Sequence, residues 1–152
     1  MEDGPGQNLG ASRPDRAEAG VRIAARITVP LLTVVGLASA IFAGQIVRLF
    51  TADPAVQTHA MRALIILGLA FPLYGSSFCL GAAFNGAGDT WTPTRTNFFC
   101  LWLIQLPLAW LLAHELQLGP LGVFIAIPTA LLVLASWNYT LFKQGTWKLK
   151  RV

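Results

Sequence analysis

Four long runs without a charged side chain constrain this sequence more than any other feature: Ile27 to Val47, Ala63 to Gly88, Thr96 to Ala113 and Pro120 to Phe142. Each is near or above the length needed to cross about 30 Å of hydrocarbon at about 1.5 Å per residue. The third is the shortest. Its leucines, Ile104, Phe98 and Phe99 together supply about 3 to 5 kcal/mol of insertion free energy, which outweighs a lone Gln105. Only 12% of the residues are charged, half the usual share for a soluble domain. The expected fold is therefore all-α and polytopic, with four transmembrane helices over about 27–47, 60–85, 94–114 and 120–142. Residues 1–26 then form a loop and the start of an interfacial helix, and 143–152 form a basic tail.

The net charge of +4 is explained by where the basic residues fall. Arg13, Arg16, Arg22, Arg26, Arg95, Lys143, Lys148, Lys150 and Arg151 flank one side of the spans, and only Arg48 and Arg62 flank the other. That asymmetry places both termini in the cytoplasm of a multi-pass plasma-membrane protein and leaves no case for nucleic acid. No apolar stretch precedes a cleavage site near the N-terminus, so insertion is directed by the spans themselves.

Helix starts are legible. Ser12-Arg13-Pro14-Asp15 reads as a capping box, so the first helix begins near Arg13, with Glu18, Arg22 and Arg26 as a charged stripe along the headgroup layer. Asp53-Pro54 and Thr92-Pro93 each read as an N-cap followed by proline at the first helical position, and Gly119-Pro120 opens the last helix similarly. Trp91, Trp110, Trp137 and Trp147 lie near span ends and suit interfacial anchoring, with Trp137 open to a deeper position.

Pro30, Pro72, Pro107 and Pro128 fall within the apolar runs, and each removes a hydrogen bond where a helix can bend. They suit a transporter that rocks its helices, or shape a static bundle. Gly36, Ala40 and Gly44 share one helix face, as do Ser77 and Gly81, and both sets read as close packing between helices.

No Asp, Glu, Lys, Arg or His lies deep in a span, which argues against a complete ion-coupled transporter in these residues alone. The polar candidates are Tyr74, Ser76, Ser77, Asn85, Asn97, Gln105 and Asn138. Of these, Tyr74, Ser76, Ser77, Gln105 and Asn138 are selected as possible cavity-lining residues. The plainer alternative is that the serines return hydrogen bonds to their own helix and that Gln105 and Asn138 bond a neighbouring one. Cys79 and Cys100 form no CxxC or Cys/His pattern, and His59, His114 and Glu115 make neither a metal site nor a catalytic arrangement. No enzyme activity, cofactor or metal is expected. Gly86-Ala87-Gly88-Asp89 lacks a preceding strand and a following GK[ST], so it reads as a tight turn rather than a phosphate loop.

Three stretches together resemble the multidrug and toxic compound extrusion family, transporters built of two six-helix lobes. They are Gly6-Gln7-Asn8-Leu9-Gly10-Ala11 continuing through Arg13-Pro14-Asp15-Arg16-Ala17, then Leu49-Phe50-Thr51 with Asp53-Pro54, and then Gly81-Ala82 and Asn85-Gly86-Ala87-Gly88-Asp89-Thr90 with Thr92-Pro93. The resemblance implies the last four helices of a twelve-helix protein, in the second lobe. It also implies export of cationic or amphipathic small molecules in exchange for sodium ions or protons. Under it, Gly6, Gln7, Asn8, Gly10, Arg13, Pro14, Asp89 and Thr90 shape turns that hold helices together.

Two departures follow. Met1 to Pro5 stand directly against the Gly6-Gln7 motif, so the first lobe and two helices of the second are expected to be missing partners. The helix over 56–84 also lacks the carboxylate that some members use for ion coupling. Such a chain is expected to be inactive alone. The competing expectation is a small non-transporting four-helix membrane protein that packs with itself or a larger partner.

Overall fold

A computed structural model of the chain describes residues 14–145 and Trp147, and within them every regular element is helical. Helix α1 (Pro14–Ile41) and helix α2 (Ala43–Phe50) make the first ascent of the bundle. Helices α3 (Pro54–Leu69) and α4 (Phe71–Gly86) return, bent by 49° at their junction. The third span begins as α5 (Trp91–Asn97), passes through a π-helical stretch (Phe98–Ile104) into α6 (Gln105–Trp110), and ends in a second π-helical stretch (Leu111–Glu115). Helix α7 (Pro120–Gln144) closes the bundle. Three helices are long and apolar enough to cross a membrane, and the bent α3–α4 pair makes a fourth if taken as one span.

The capping signals work locally, with one relocation. Asp53 Oδ1 accepts from the backbone N–H of Ala55 at 2.8 Å and of Val56 at 3.4 Å, and Pro54 occupies the first helical position. Gly119 precedes Pro120 at the start of α7 in the same way. The third span is capped earlier than Thr92-Pro93 predicts. The carboxylate of Asp89 accepts from the Thr92 backbone N–H at 3.2 Å and from its hydroxyl at 2.7 Å, so Thr92 donates instead of capping. A carboxylate is the stronger acceptor for a free N–H, and it satisfies the threonine hydroxyl as well.

The four prolines behave differently from one another. Pro30 and Pro128 lie inside unbroken helices, because losing one hydrogen bond among many leaves the rest of the ladder intact. The first span breaks at Phe42 instead, where backbone bonds from Phe42 to Ala38 and from Ile46 to Phe42, both 2.9 Å, carry the ladder across. Pro72 sits in the first turn of α4, just after the bend. Having no N–H, it cannot bond the carbonyl of Gly68.

That carbonyl lies where α1 crosses. A Cβ added to Gly36 would stand 2.1 Å from Gly68 O, and one added to Gly68 would stand 2.6 Å from Gly36 O. Only glycine permits backbones this close, and Ala40 and Gly44 continue the same face towards Gly68 and Met61. Proline and glycine thus act together: one interrupts the helical ladder at the bend, the other lets the neighbouring helix press against it.

No break at Arg26 divides the charged start of α1 from its apolar part, so the expected interfacial segment is continuous with the span. A helix of 28 residues is about 42 Å long, so its charged first turns project beyond the hydrocarbon along the same axis. There Arg22 pairs with Glu18 one turn away.

Two clusters hold the bundle. One joins Ala70, Cys100, Leu131 and Leu134, with Trp137 packed against it and tilted on Phe99 at 6.1 Å between ring centres. The other joins Ala17, Val21, Ala83, Phe84, Ala87, Phe142 and Trp147, so the start of α1, the α4–α5 turn and the end of α7 meet at one pole. Trp91 and Trp110 are exposed, as anchoring residues would be, but Trp147 is wholly buried. Its indole stacks on Phe142 at 5.0 Å and donates to the Phe142 carbonyl at 3.1 Å, because Gly145 in a left-handed conformation folds the chain back there.

Candidate functional site

Three spans leave a pocket of about 530 Å³ between them, within the range of small-molecule sites. Helical periodicity builds it. Tyr74, Ser77, Phe78, Gly81 and Asn85 recur at three- and four-residue intervals along one face of α4. Asn97, Leu101 and Gln105 recur every four residues down the third span, and Ile127, Leu131, Leu134 and Asn138 recur at intervals of four, three and four along α7. The π-helical stretch between Asn97 and Gln105 widens this wall, with Gln105 N–H bonding the carbonyl of Cys100. Pro107, which cannot donate to the preceding turn, lies just beyond that register shift.

The pocket therefore brings together Tyr74, Ser77, Gln105 and Asn138 and adds Asn85 and Asn97. Ser76 lies outside the lining and returns its hydroxyl to Pro72 O at 2.9 Å. Asn97 shares a face with Gln105, and that spacing was the signal that could have selected it. Gly81 faces open space rather than a packed helix, so the Ser77–Gly81 face opens on the pocket; the close helix contact on α4 is made by Gly75 against Leu32 and Val29. Asn138 is only 2% exposed, yet its Oδ1 has no hydrogen-bond partner, and neither has the buried Ser77 Oγ.

The turn below the pocket is built around Gly88. Its φ of +75° gives the left-handed residue that ends α4, and Asp89 N–H bonds Phe84 O at 2.9 Å while Gly88 N–H bonds Asn85 O at 3.0 Å. Asp89, 4% exposed, then caps the next helix, so one residue closes α4 and opens α5. Thr90 starts the α5 ladder by accepting from Thr94 N–H at 3.3 Å. Pro14 is the first residue of α1, while Gly6, Gln7, Asn8, Gly10 and Arg13 lie outside the described residues.

Residues 5–111 match the MatE family, the multidrug and toxic compound extrusion transporters. The chain belongs to this family. Among curated relatives, a probable multidrug resistance protein of Bacillus subtilis, YoeA, is 27% identical over 96% of this chain and 31% of its own length. A probable multidrug resistance protein of Thermotoga maritima, NorM, is 26% identical over 78% of this chain and 25% of its own length. The crystal structure of the Vibrio cholerae MATE transporter VcmN in the bent form superposes with a TM-score of 0.84, over 97% of this chain and 34% of that one, at 21% identity. The chain thus spans no more than a third or so of the length of these MatE relatives, and it is a multi-pass membrane protein of a transporter, not an enzyme, family.

MatE membership gives the α4–α5 turn a test of its role. Asp89→Ala is expected to lower stability by about 1 to 2 kcal/mol, with Asp89→Asn recovering most of the loss, as read by thermal unfolding in detergent.

Proposed function

We propose that these four spans are the closing part of the second lobe of a twelve-helix multidrug efflux antiporter. The intact assembly exports cationic or amphipathic small molecules across the plasma membrane in exchange for sodium ions or protons. The observation that carries this reading is the pocket itself: largely apolar with a few polar side chains, and walled by three spans of a chain that matches its relatives over about 31% of their length. Helices from elsewhere complete the wall, and they supply any coupling carboxylate, since the described spans hold none in their interior. Tyr74, Ser77, Gln105 and Asn138 contact the uncharged part of the substrate in this reading, whereas Asp89 and Thr90 hold the turn beneath it. The basic residues support cytoplasmic termini, and the pole where Ala17 meets Phe142 and Trp147 is the cytoplasmic one.

The test is a chimera. Residues 1–152 joined behind the preceding two thirds of the Bacillus subtilis relative should export ethidium from cells lacking their own pumps, and residues 1–152 alone should not. An inactive chimera that reaches the membrane, together with a defined oligomer of the chain alone, would favour a non-transporting four-helix protein.

A further inference from the structure

We infer that the pocket between α4, the third span and α7 receives an uncharged, hydrogen-bonding molecule of aromatic size, and not the coupling ion. This rests on the proposed transport role and names the class of molecule held in this part of the cavity. The polar lining consists of the carboxamides of Asn85, Asn97, Gln105 and Asn138 and the hydroxyls of Tyr74 and Ser77. The lining is of carboxamides and hydroxyls, and among the described residues no Asp, Glu, Lys, Arg or His joins them. A cation seated against these three walls alone would surrender its water without meeting an opposite charge from them, which is strongly unfavourable in an apolar medium. A neutral molecule surrenders far less.

The carboxamides are also the right recognition groups. Each offers a donor and an acceptor from one rigid plane, so four of them can match a ligand bearing both kinds of group. Asn138 is the most informative. It lines the pocket at 2% exposure, and its Oδ1 has no partner in the protein. Leaving a buried amide oxygen unpaired is unfavourable, and most so where no water competes. A half-turn of the amide exchanges which of its ends faces the pocket, so an occupant bringing a donor relieves the deficit. Ser77 Oγ, also buried and unpartnered, gives a second such point on the opposite wall. The rest of the lining is apolar, which suits a ring between the two polar walls.

The experiment titrates the full chain in lipid nanodiscs by calorimetry with three probes: chloramphenicol, which is neutral, aromatic and rich in hydrogen-bonding groups; tetraphenylphosphonium, a bulky cation with none; and sodium chloride. Chloramphenicol should bind saturably, with an affinity unchanged by sodium and between about pH 6 and pH 8, because no Asp, Glu, Lys, Arg or His lines the pocket among the described residues. Asn138→Leu should weaken it about tenfold, and Ser136→Ala, outside the lining, should not. Helicity by circular dichroism checks each variant. If Asn138→Leu loses helicity, Gln105→Leu reads the same loss from the facing wall. Saturable binding of sodium or tetraphenylphosphonium but not chloramphenicol, absence of any binding, or undiminished chloramphenicol binding in helical Asn138→Leu and Gln105→Leu overturns the inference. Binding by this chain with no efflux by the chimera would defeat the transport role alone; efflux without this binding would defeat the inference alone.

Discussion

Gly36→Ala is expected to destabilise the bundle by about 3 kcal/mol, although it adds a single methyl group. The methyl would stand 2.1 Å from the Gly68 carbonyl oxygen and 2.9 Å from the Phe71 Cβ. The Gly68 carbonyl carbon follows at 3.1 Å, so two of the three nearest atoms are backbone and no side-chain rotation relieves the overlap. The helices must separate, which uncovers the contact between α1 and the bend. Overpacking ordinarily costs about 1 to 3 kcal/mol, and a clash with backbone belongs at the upper end. Gly20→Ala in the same helix makes a clean control, because nothing lies within 4 Å of an added Cβ there. It should stabilise by roughly 0.5 to 1 kcal/mol through reduced backbone freedom in the unfolded chain. Unfolding in detergent, followed by circular dichroism, should therefore give opposite signs for the same change at two positions of one helix.

Trp147→Ala should also cost about 3 kcal/mol or more, the usual penalty for emptying a large buried aromatic site. The side chain is 0% exposed, stacks on Phe142 and donates through Nε1 to the Phe142 carbonyl. Trp147→Phe keeps the stacked ring and gives up the hydrogen bond, so its loss should be nearer about 1 kcal/mol. If Trp147 were only an interfacial anchor, both substitutions would fall within about 0.5 kcal/mol of the parent. Thermal midpoints of the three proteins in one detergent decide between these outcomes.

The spans were legible in sequence because lipid imposes a length and a lack of charge that few other environments require. The Asp53-Pro54 start was legible because a cap and its proline are neighbours in the chain. The Asp89 cap was harder to place, since Thr92-Pro93 offers the same local chemistry and only the geometry of the Gly88 turn decides which oxygen reaches the free N–H groups. Proline positions were plain, but their consequences were not. Pro30 and Pro72 are chemically identical, and the bend forms only where Gly68 and Gly36 let a second helix press in. Half of the pocket was within reach: helical spacing aligns Asn97 with Gln105 and Tyr74 with Ser77. That α4 and α7 pack against one another, with the third span beside them, is a tertiary fact with no local signature. Trp147 read as an anchor because sequence shows nearness to a span end but not the reversal at Gly145 that tucks the ring inside.

The pole that gathers Ala17, Val21, Phe84 and Trp147 also sets an order of events during synthesis. Its first members are made near the beginning of this chain and its last near the end. At about 5 to 20 residues per second, roughly ten seconds pass between the appearance of Ala17 and that of Trp147. Until Trp147 is made, the cluster that Val21 and, later, Phe84 enter lacks its indole, while the spans are already entering the bilayer. Assembly of the four helices is therefore closed at this pole, late, by a single indole.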